Sequence, residues 1–311
     1  MGQPRVSVIV PTHNRSTVVG RAIASALAQT VSDIEVLVVD DCSSDGTGEV
    51  LAAMARSDER VRVIALGPEE GGSAARARNA GLDAVRAPVV AFLDDDDEWY
   101  PAKLARQLEV LDEHPDVVLV GCQIEVVRDA RAPVAVRGAD AIDRRELLWV
   151  DHLHGASCVM LRVTDPRLAA LRFDEDFPAI EDWDLYVRAA ELGAVALVAA
   201  VLVRYHEHAG DRLTTGANHV AGHRLFLVRH GPEMTPACRA YHHARLRLME
   251  AHGARQNLQL VPGVLRSTPP AALAVLIREI VAANIGNRTG DPGRGYRALH
   301  AALSSRPSLL G

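Results

Sequence analysis

Lysine is almost missing from this chain. Lys103 is the only one, although arginine is abundant. A P-loop needs Gly-Lys-Ser/Thr, and none is present. A pyridoxal Schiff base would have to use Lys103, which falls in a stretch with the spacing of a structural helix. Cysteine is scarce too. Cys42, Cys122, Cys158 and Cys238 lie far apart and form no CxxC pair. That argues against a structural zinc site and a disulfide framework, and it suits a reducing cytoplasm. There is no basic excess: the formal net charge is -6. No basic stretch interleaved with aromatics appears, so nucleic acid is not expected as a partner. The longest apolar runs, such as Ala194–Val203, are too short to span a bilayer. No G-x-G-x-x-G follows the first apolar run, and Gly46-Thr47-Gly48 lacks the third glycine, so a dinucleotide-binding Rossmann domain is not expected. Met1–Arg5 leads directly into a strand-like run, which predicts no signal peptide and a cytoplasmic location.

What is there is organised around Val89–Pro101. Val89 to Leu93 are continuously apolar, as in a strand buried on both faces. Asp94, Asp95, Asp96 and Asp97 follow without a break, and Pro101 suits the first turn of a helix. Four adjacent carboxylates cannot all be buried unpaired. A solvated acidic turn is one reading. At the carboxyl end of a buried strand, where open α/β sheets bind ligands, a divalent cation is the other. Oxygen ligands favour Mg²⁺ or Mn²⁺.

The chain in order predicts an alternating α/β domain. Strands are expected at Arg5–Val10, Ile34–Val39, Val61–Leu66 and Val89–Leu93, separated by helices at Thr17–Gln29, from Thr47 to about Ala55, and at Ser73–Val85. This pattern implies a mostly parallel central sheet with helices on both faces. In a parallel sheet the carboxyl ends share one edge, so the polar residues after each strand converge. Beyond Pro101–His114, the reading continues with strands at Val117–Val127, Ala156–Arg162 and Ala194–Val203. It adds a helix at Glu181–Leu192 and a polar loop at Tyr205–Thr215. From Asn218 the chain reads as helices broken by Pro and Gly. A soft boundary near Gly216 divides a domain at 1–216 from a C-terminal helical extension at 217–311, which offers a route to a homodimer. Within the extension, Ala271–Ile285 has amphipathic spacing.

Five stretches in order then resemble one family. They are Val6-Ser-Val-Ile-Val-Pro-Thr-His-Asn-Arg15, Val38-Val-Asp-Asp-Cys-Ser-Ser-Asp-Gly-Thr47, Ala75-Arg-Ala-Arg-Asn-Ala-Gly81, Phe92-Leu-Asp-Asp-Asp-Asp-Glu-Trp99 and Ile180-Glu-Asp-Trp-Asp184. Over residues 5–210 the chain is similar to the inverting family 2 glycosyltransferases of GT-A fold, the nucleotide-diphospho-sugar transferase fold. His13 stands where that family usually has an aromatic residue, and the acidic motif carries an extra Asp where a small residue is usual. The resemblance implies a metal-dependent transfer of a sugar from a nucleotide-sugar, UDP-linked by expectation, to an acceptor.

It also implies roles. Pro11, Thr12, Asn14 and Arg15 resemble the wall around the nucleoside. Asp40 and Asp41 are both placed to accept the uracil N–H, and the resemblance favours Asp41. Arg78 and Asn79 would meet the uridine or a phosphate. Asp94-x-Asp96 resembles the DxD motif, with Asp96 as direct metal ligand and Asp94 or Asp95 holding the ribose or a metal-bound water. Asp97 is the most expendable of the four. His208 matches a histidine near the metal and diphosphate, with His206 as competitor. Asp182 is the expected general base, with Glu181 as runner-up. Trp99 and Trp183 read as packing residues, and His154 as a lining of the acceptor pocket. A sugar-phosphate nucleotidyltransferase would want a glycine-rich, basic signature near the N-terminus, which Pro11–Arg15 does not supply. An inactive nucleotide-binding module is the remaining alternative.

Overall fold

The first strand, β1 (Val6–Thr12), explains why the chain alternates. Val6, Val8 and Val10 face one side of the sheet and Ile9 the other, and all are buried. A strand covered on both faces needs helices on both, and the period of two sorts its side chains between them. In the computed structural model, which describes residues 2–128, 134–136, 141–207, 216–253 and 268–276, that is the arrangement.

The N-terminal half runs β1, α1 (Val19–Leu27), β2 (Ile34–Asp40), α2 (Thr47–Ser57), β3 (Val61–Ala65), α3 (Ala74–Asp83) and β4 (Val89–Phe92). Strand β1 lies between β2 and β4, parallel to both, and β3 pairs parallel to β2. Helix α3 approaches β1 closely: a Cβ on Gly81 would sit 2.5 Å from Ile9 Cγ2, so only glycine fits there. A short β5 (Glu98–Trp99) follows the acidic run and precedes α4 (Lys103–Glu113). Pro101 therefore lies in the turn before the helix rather than inside it.

The second half continues with β6 (Val117–Arg128), β7 (Val134–Val136), β8 (Ala141–Ile142), α5 (Arg144–Trp149), β9 (Met160–Arg162), α6 (Pro166–Ala169), α7 (Glu181–Ala189) and β10 (Ala194–Glu207). The main sheet order is β3-β2-β1-β4-β9-β6-β10-β5. Strand β9 is antiparallel to both β4 and β6, so its amino end points to the edge where β4 ends. The strand expected at Ala156–Arg162 is split: Ala156–Cys158 forms a 3-10 turn, and only Met160–Arg162 pairs. Tyr205 to Glu207, expected in a polar loop, instead belong to β10 alongside β6, and the rest of that expected loop lies outside the described residues.

Helices α8 (Gly216–His230) and α9 (Pro236–Gly253) pack into the core layer of α5 and α7. Phe226 stacks on Trp183 at 4.3 Å. Asp184 of α7, fully buried, accepts from Arg188 at 2.8 Å, from Arg229 at 3.2 Å and pairs with His230 at 2.9 Å. Against the cost of burial, the His230 bond and Arg188 hold its carboxyl below the usual range. The α8 side chains thus fix the helix that carries the acidic pair. Ala272 and Leu276 also reach this core, whereas the part of the 271–285 segment beyond 276 lies outside the described residues.

Candidate active site

The loops after β1 and β2 lock together first. Pro11 and Thr12 belong to β1 itself, paired with Val39 and Asp40, and both are buried. The Asp41 amide donates to Thr12 O at 2.8 Å. The Asn14 side chain accepts the Ser44 amide at 2.8 Å, and the Arg15 amide donates to Thr47 Oγ1 at 2.8 Å. Asp40 is used locally, accepting the Ser43 amide at 3.1 Å, and Asp45 accepts the Thr47 amide at 2.9 Å. These are side-chain-closed turns. Asp41 behaves differently. It is buried, and its Oδ1 accepts the Gly72 amide at 2.7 Å. A Cβ on Gly71 would lie 1.9 Å from that oxygen, so the Gly71-Gly72 pair is what lets the loop reach Asp41.

The acidic turn sorts its four carboxylates. The Asp97 amide donates to Asp94 O at 3.1 Å and closes the turn. Asp94 Oδ1 accepts Arg78 Nη2 at 2.6 Å. Asp95 is buried near Arg15, with Nε 3.5 Å from Oδ1. Burial pushes its carboxyl up to about 6, with the Thr12 hydroxyl pulling back. Asp97, read as the most expendable, is the most deeply buried of the four. Its Oδ2 accepts the Ser157 hydroxyl at 2.6 Å and its Oδ1 accepts the His206 amide at 3.4 Å. Its burial follows from topology: the turn folds inward where β9 begins. Asp96 is half-buried, its backbone carbonyl accepts Arg21 Nη2 at 2.8 Å, and its carboxylate lies 4.0 Å from Arg15 Nη2. The His206 ring is engaged by Glu98 at 2.8 Å. His208 lies outside the described residues.

Across the same edge sits the acidic pair of α7. Arg78 is buried and binds two carboxylates, Asp94 and, through Nη1 at 2.7 Å, Glu181. Burial opposes its charge, and the two acids more than restore it. Arg78, expected at the nucleotide, joins the acidic turn to α7. Asn79 bonds Phe173 O at 2.9 Å through its amide and is likewise engaged within the fold. Asp182 is differently placed. Its Oδ1 accepts the Trp183 amide at 2.8 Å, and burial, then Glu181 and Asp151, push its carboxyl well above the usual range. Asp151 is itself pushed up to about 6 by burial, and His154 is pushed down to about 4. Trp183 and Trp99 are buried packing residues, their indole N–H groups donating to Leu147 O and Ser157 O.

Among the described residues, four other than glycine have positive φ: Asn14 at 52°, Cys42 at 59°, His154 at 63° and Ile180 at 59°. All flank this edge, two after β1 and β2 and two beside the acidic pair. Left-handed backbone at a β-branched residue such as Ile180 is costly and concentrates at functional sites.

The sequence profile described as Glycosyl transferase family 2 matches residues 7–164, just over half of the chain. The chain belongs to this family. Among curated relatives, the putative teichuronic acid biosynthesis glycosyltransferase TuaG of Bacillus subtilis (strain 168) is 42% identical over 111 residues, 36% of this chain and 43% of that protein. The succinoglycan biosynthesis protein ExoO of Rhizobium meliloti (strain 1021) is 36% identical over 202 residues, 61% of this chain and 57% of that protein. The chain therefore spans about half the length of these relatives. Among solved structures, S. aureus TarS 1–349 with UDP-GlcNAc superposes with a TM-score of 0.62 at 19% identity, covering 97% of this chain and 92% of that one. The mannosyltransferase PcManGT from Pyrobaculum calidifontis, with GDP-Man and Mn²⁺, gives 0.54 at 18% identity, covering 98% and 88%. At such identity these neighbours show the fold: a GT-A-like α/β sheet, mostly parallel, with C-terminal helices.

The family 2 match runs from β1 through β9 and stops before Glu181 and Asp182. Asp41, Asp95 and Asp96 follow the carboxyl ends of β2 and β4, where strand alternation places polar residues. Ser157 and Asp151 lie on the amino side of β9, which a rule of carboxyl ends does not reach. The usable signal was a polar residue just before the apolar run Cys158–Leu161. Among the described residues no group of three or more His, Cys, Asp or Glu is poised to hold a metal. A Mg²⁺-like ion bound by one or two carboxylates plus substrate phosphates does not need such a group. Asp94 and Asp96 are the partly exposed carboxylates of the turn, whereas Asp95 and Asp97 are buried. No helix among the described residues is long and apolar enough to cross a membrane.

Proposed function

We propose that this family 2 glycosyltransferase is a metal-dependent inverting enzyme that uses a UDP-sugar donor. The observation that carries the reading is the division of labour at one sheet edge. Glu181 is tied to Arg78, whereas the carboxyl of Asp182, the next residue, accepts only the Trp183 amide among the described contacts and is held well above the usual range by burial and by Glu181. In this reading Asp182 takes the proton of the acceptor hydroxyl as that oxygen attacks the anomeric carbon from the face opposite the leaving diphosphate. Asp41 accepts the uracil ring N–H, and Pro11, Thr12, Asn14 and Arg15 shape the nucleoside pocket. Asp96, with His208, would hold Mn²⁺ or Mg²⁺, and Asp95 orients the ribose or a bound water. When bound, the cation would offset charge building on the departing diphosphate.

The test is turnover. The protein, incubated with a panel of UDP-sugars and Mn²⁺, is expected to hydrolyse one donor slowly in the absence of acceptor. Asp182→Asn is expected to lower turnover by about 10²–10⁴-fold while UDP binding persists. Normal turnover in both Asp182→Asn and Glu181→Gln would overturn the base assignment. Failure to bind any UDP-sugar would overturn the donor.

A further inference from the structure

We propose that Ser157 is a positioning residue that holds the cation-binding turn in place, and so sets the affinity of the site for a divalent cation in the presence of nucleotide. This rests on the reading that Asp96 helps bind that cation. Ser157 is buried in the 3-10 turn Ala156–Cys158, between β4 and the start of β9. Its hydroxyl does two things at once. It donates to Asp97 Oδ2 at 2.6 Å and accepts the Asp94 amide at 3.0 Å. One oxygen thus joins both ends of the turn Asp94–Asp97, with Asp96 between them.

The serine is itself held firmly. Its carbonyl accepts the Trp99 indole N–H at 2.8 Å, and the next carbonyl, Cys158 O, accepts Gln107 Nε2 at 2.8 Å. Trp99 and Gln107 are buried, so the hydroxyl has little freedom to move. The same short turn borders the acidic pair. Gly155 lies against Asp182: a side chain there would begin 3.8 Å from Asp182 Oδ2. The segment 155–158 therefore lies near the proposed base at one end and bonds the acidic turn at the other. Without the hydroxyl, the Asp94 amide loses its acceptor, and the Asp97 carboxylate is left with the long His206 amide contact at 3.4 Å, so the backbone bond from the Asp97 amide to Asp94 O holds the turn unaided by Ser157. The turn then has two displaced ends, and Asp96 moves with it. Partners that orient a ligating carboxylate in this way typically change metal affinity by about 10–100-fold when removed.

The experiment uses the full chain with Mn²⁺ and UDP as probes. Mn²⁺ binding at saturating UDP is followed by the loss of the free-ion electron paramagnetic signal. UDP binding without cation is measured separately by calorimetry, and thermal unfolding reports the fold. Ser157→Ala is expected to weaken Mn²⁺ about 10–100-fold and leave cation-free UDP binding unchanged. Ser157→Thr, which keeps the hydroxyl, is expected to restore most of the affinity. Asp97→Asn keeps an acceptor for Ser157 and is expected to bind Mn²⁺ nearly as the wild type does, so it tests the idea even if Ser157→Ala fails to fold. A loss in Asp97→Asn as large as that expected for Ser157→Ala would make Asp97 a charge partner of the cation and overturn the proposal. Unchanged Mn²⁺ affinity in Ser157→Ala, or equal loss of Mn²⁺ and of cation-free UDP, would also overturn it. If the wild type binds no Mn²⁺ with UDP, the functional reading falls and this inference with it.

Discussion

Replacing Arg78 by methionine should destabilise the protein far more than removing any surface arginine. The Arg78 side chain is 6% exposed and Glu181 9%, with Nη1 2.7 Å from Oε1. Methionine keeps much of the volume but strands the Glu181 carboxylate in a dry site. Breaking a buried pair by removing one partner costs about 3–5 kcal/mol. The Asp94 arm adds less than about 1 kcal/mol, because that side chain is 34% exposed and water can replace the arginine. For a chain of this size each kcal/mol moves Tm by about 2–4 °C, so the drop should be about 6–20 °C. The control is the double variant Arg78→Met with Glu181→Gln. It removes the stranded charge, so it should unfold at a higher temperature than Arg78→Met alone, a non-additivity expected of groups in contact. Arg78→Lys should fall between, since one ammonium cannot fork to two carboxylates as a guanidinium does. Calorimetric scans at pH 7 measure all four proteins. If Arg78→Met melts within 2 °C of the wild type, a shift below about 1 kcal/mol, or if the double variant is no better than the single, the clamp does not carry the energy assigned to it.

Three other outcomes are expected. Asp96→Ala should abolish transfer and weaken UDP only when Mn²⁺ or Mg²⁺ is present; full wild-type activity in excess chelator would refute the metal assignment. Asp41→Asn keeps an acceptor for Gly72 and turns its amide toward the base, so UDP affinity should fall by about 1.5–3 kcal/mol in a titration, with the melting curve little changed. The buried imidazoles of α8 and α9 should make the fold acid-labile. Burial pushes His242 down to about 3, and partial burial takes the half-buried His219 to about 4, below the ordinary 6.5. The unfolded chain therefore binds more protons, and stability present above pH 6.5 is lost as pH falls toward 3. His242→Gln, which keeps a donor for Leu148 O, should flatten that loss in denaturant titrations at successive pH values; an unchanged slope would argue against it.

Residue order alone carried the architecture and the chemistry-bearing motifs. Buried strands at Val6, Ile34 and Val89 announce themselves as continuous apolar runs, because a central parallel strand must be apolar on both faces. Their carboxyl ends must share an edge, so Asp41 and the Asp94–Asp97 run could be brought together without coordinates. The strand after Ala156 was less legible, since three residues of a 3-10 turn look extended in a short apolar run. What only the tertiary structure decided is which partner holds each carboxylate. Glu181 and Asp182 are adjacent in sequence and chemically alike, yet Arg78, 103 residues from Glu181, binds one and not the other. The four aspartates after β4 are likewise identical in sequence terms. Arg78, Arg15 and Ser157 come from three other segments and divide them. Ser157 reaches the edge because β9 runs backwards, which depends on long-range strand pairing and not on local pattern. Periodicity reports how a residue faces its own sheet or helix. The partner that fixes the charge and orientation of a carboxylate is chosen by contacts far apart in the chain, and those exist only once the sheet has closed around them.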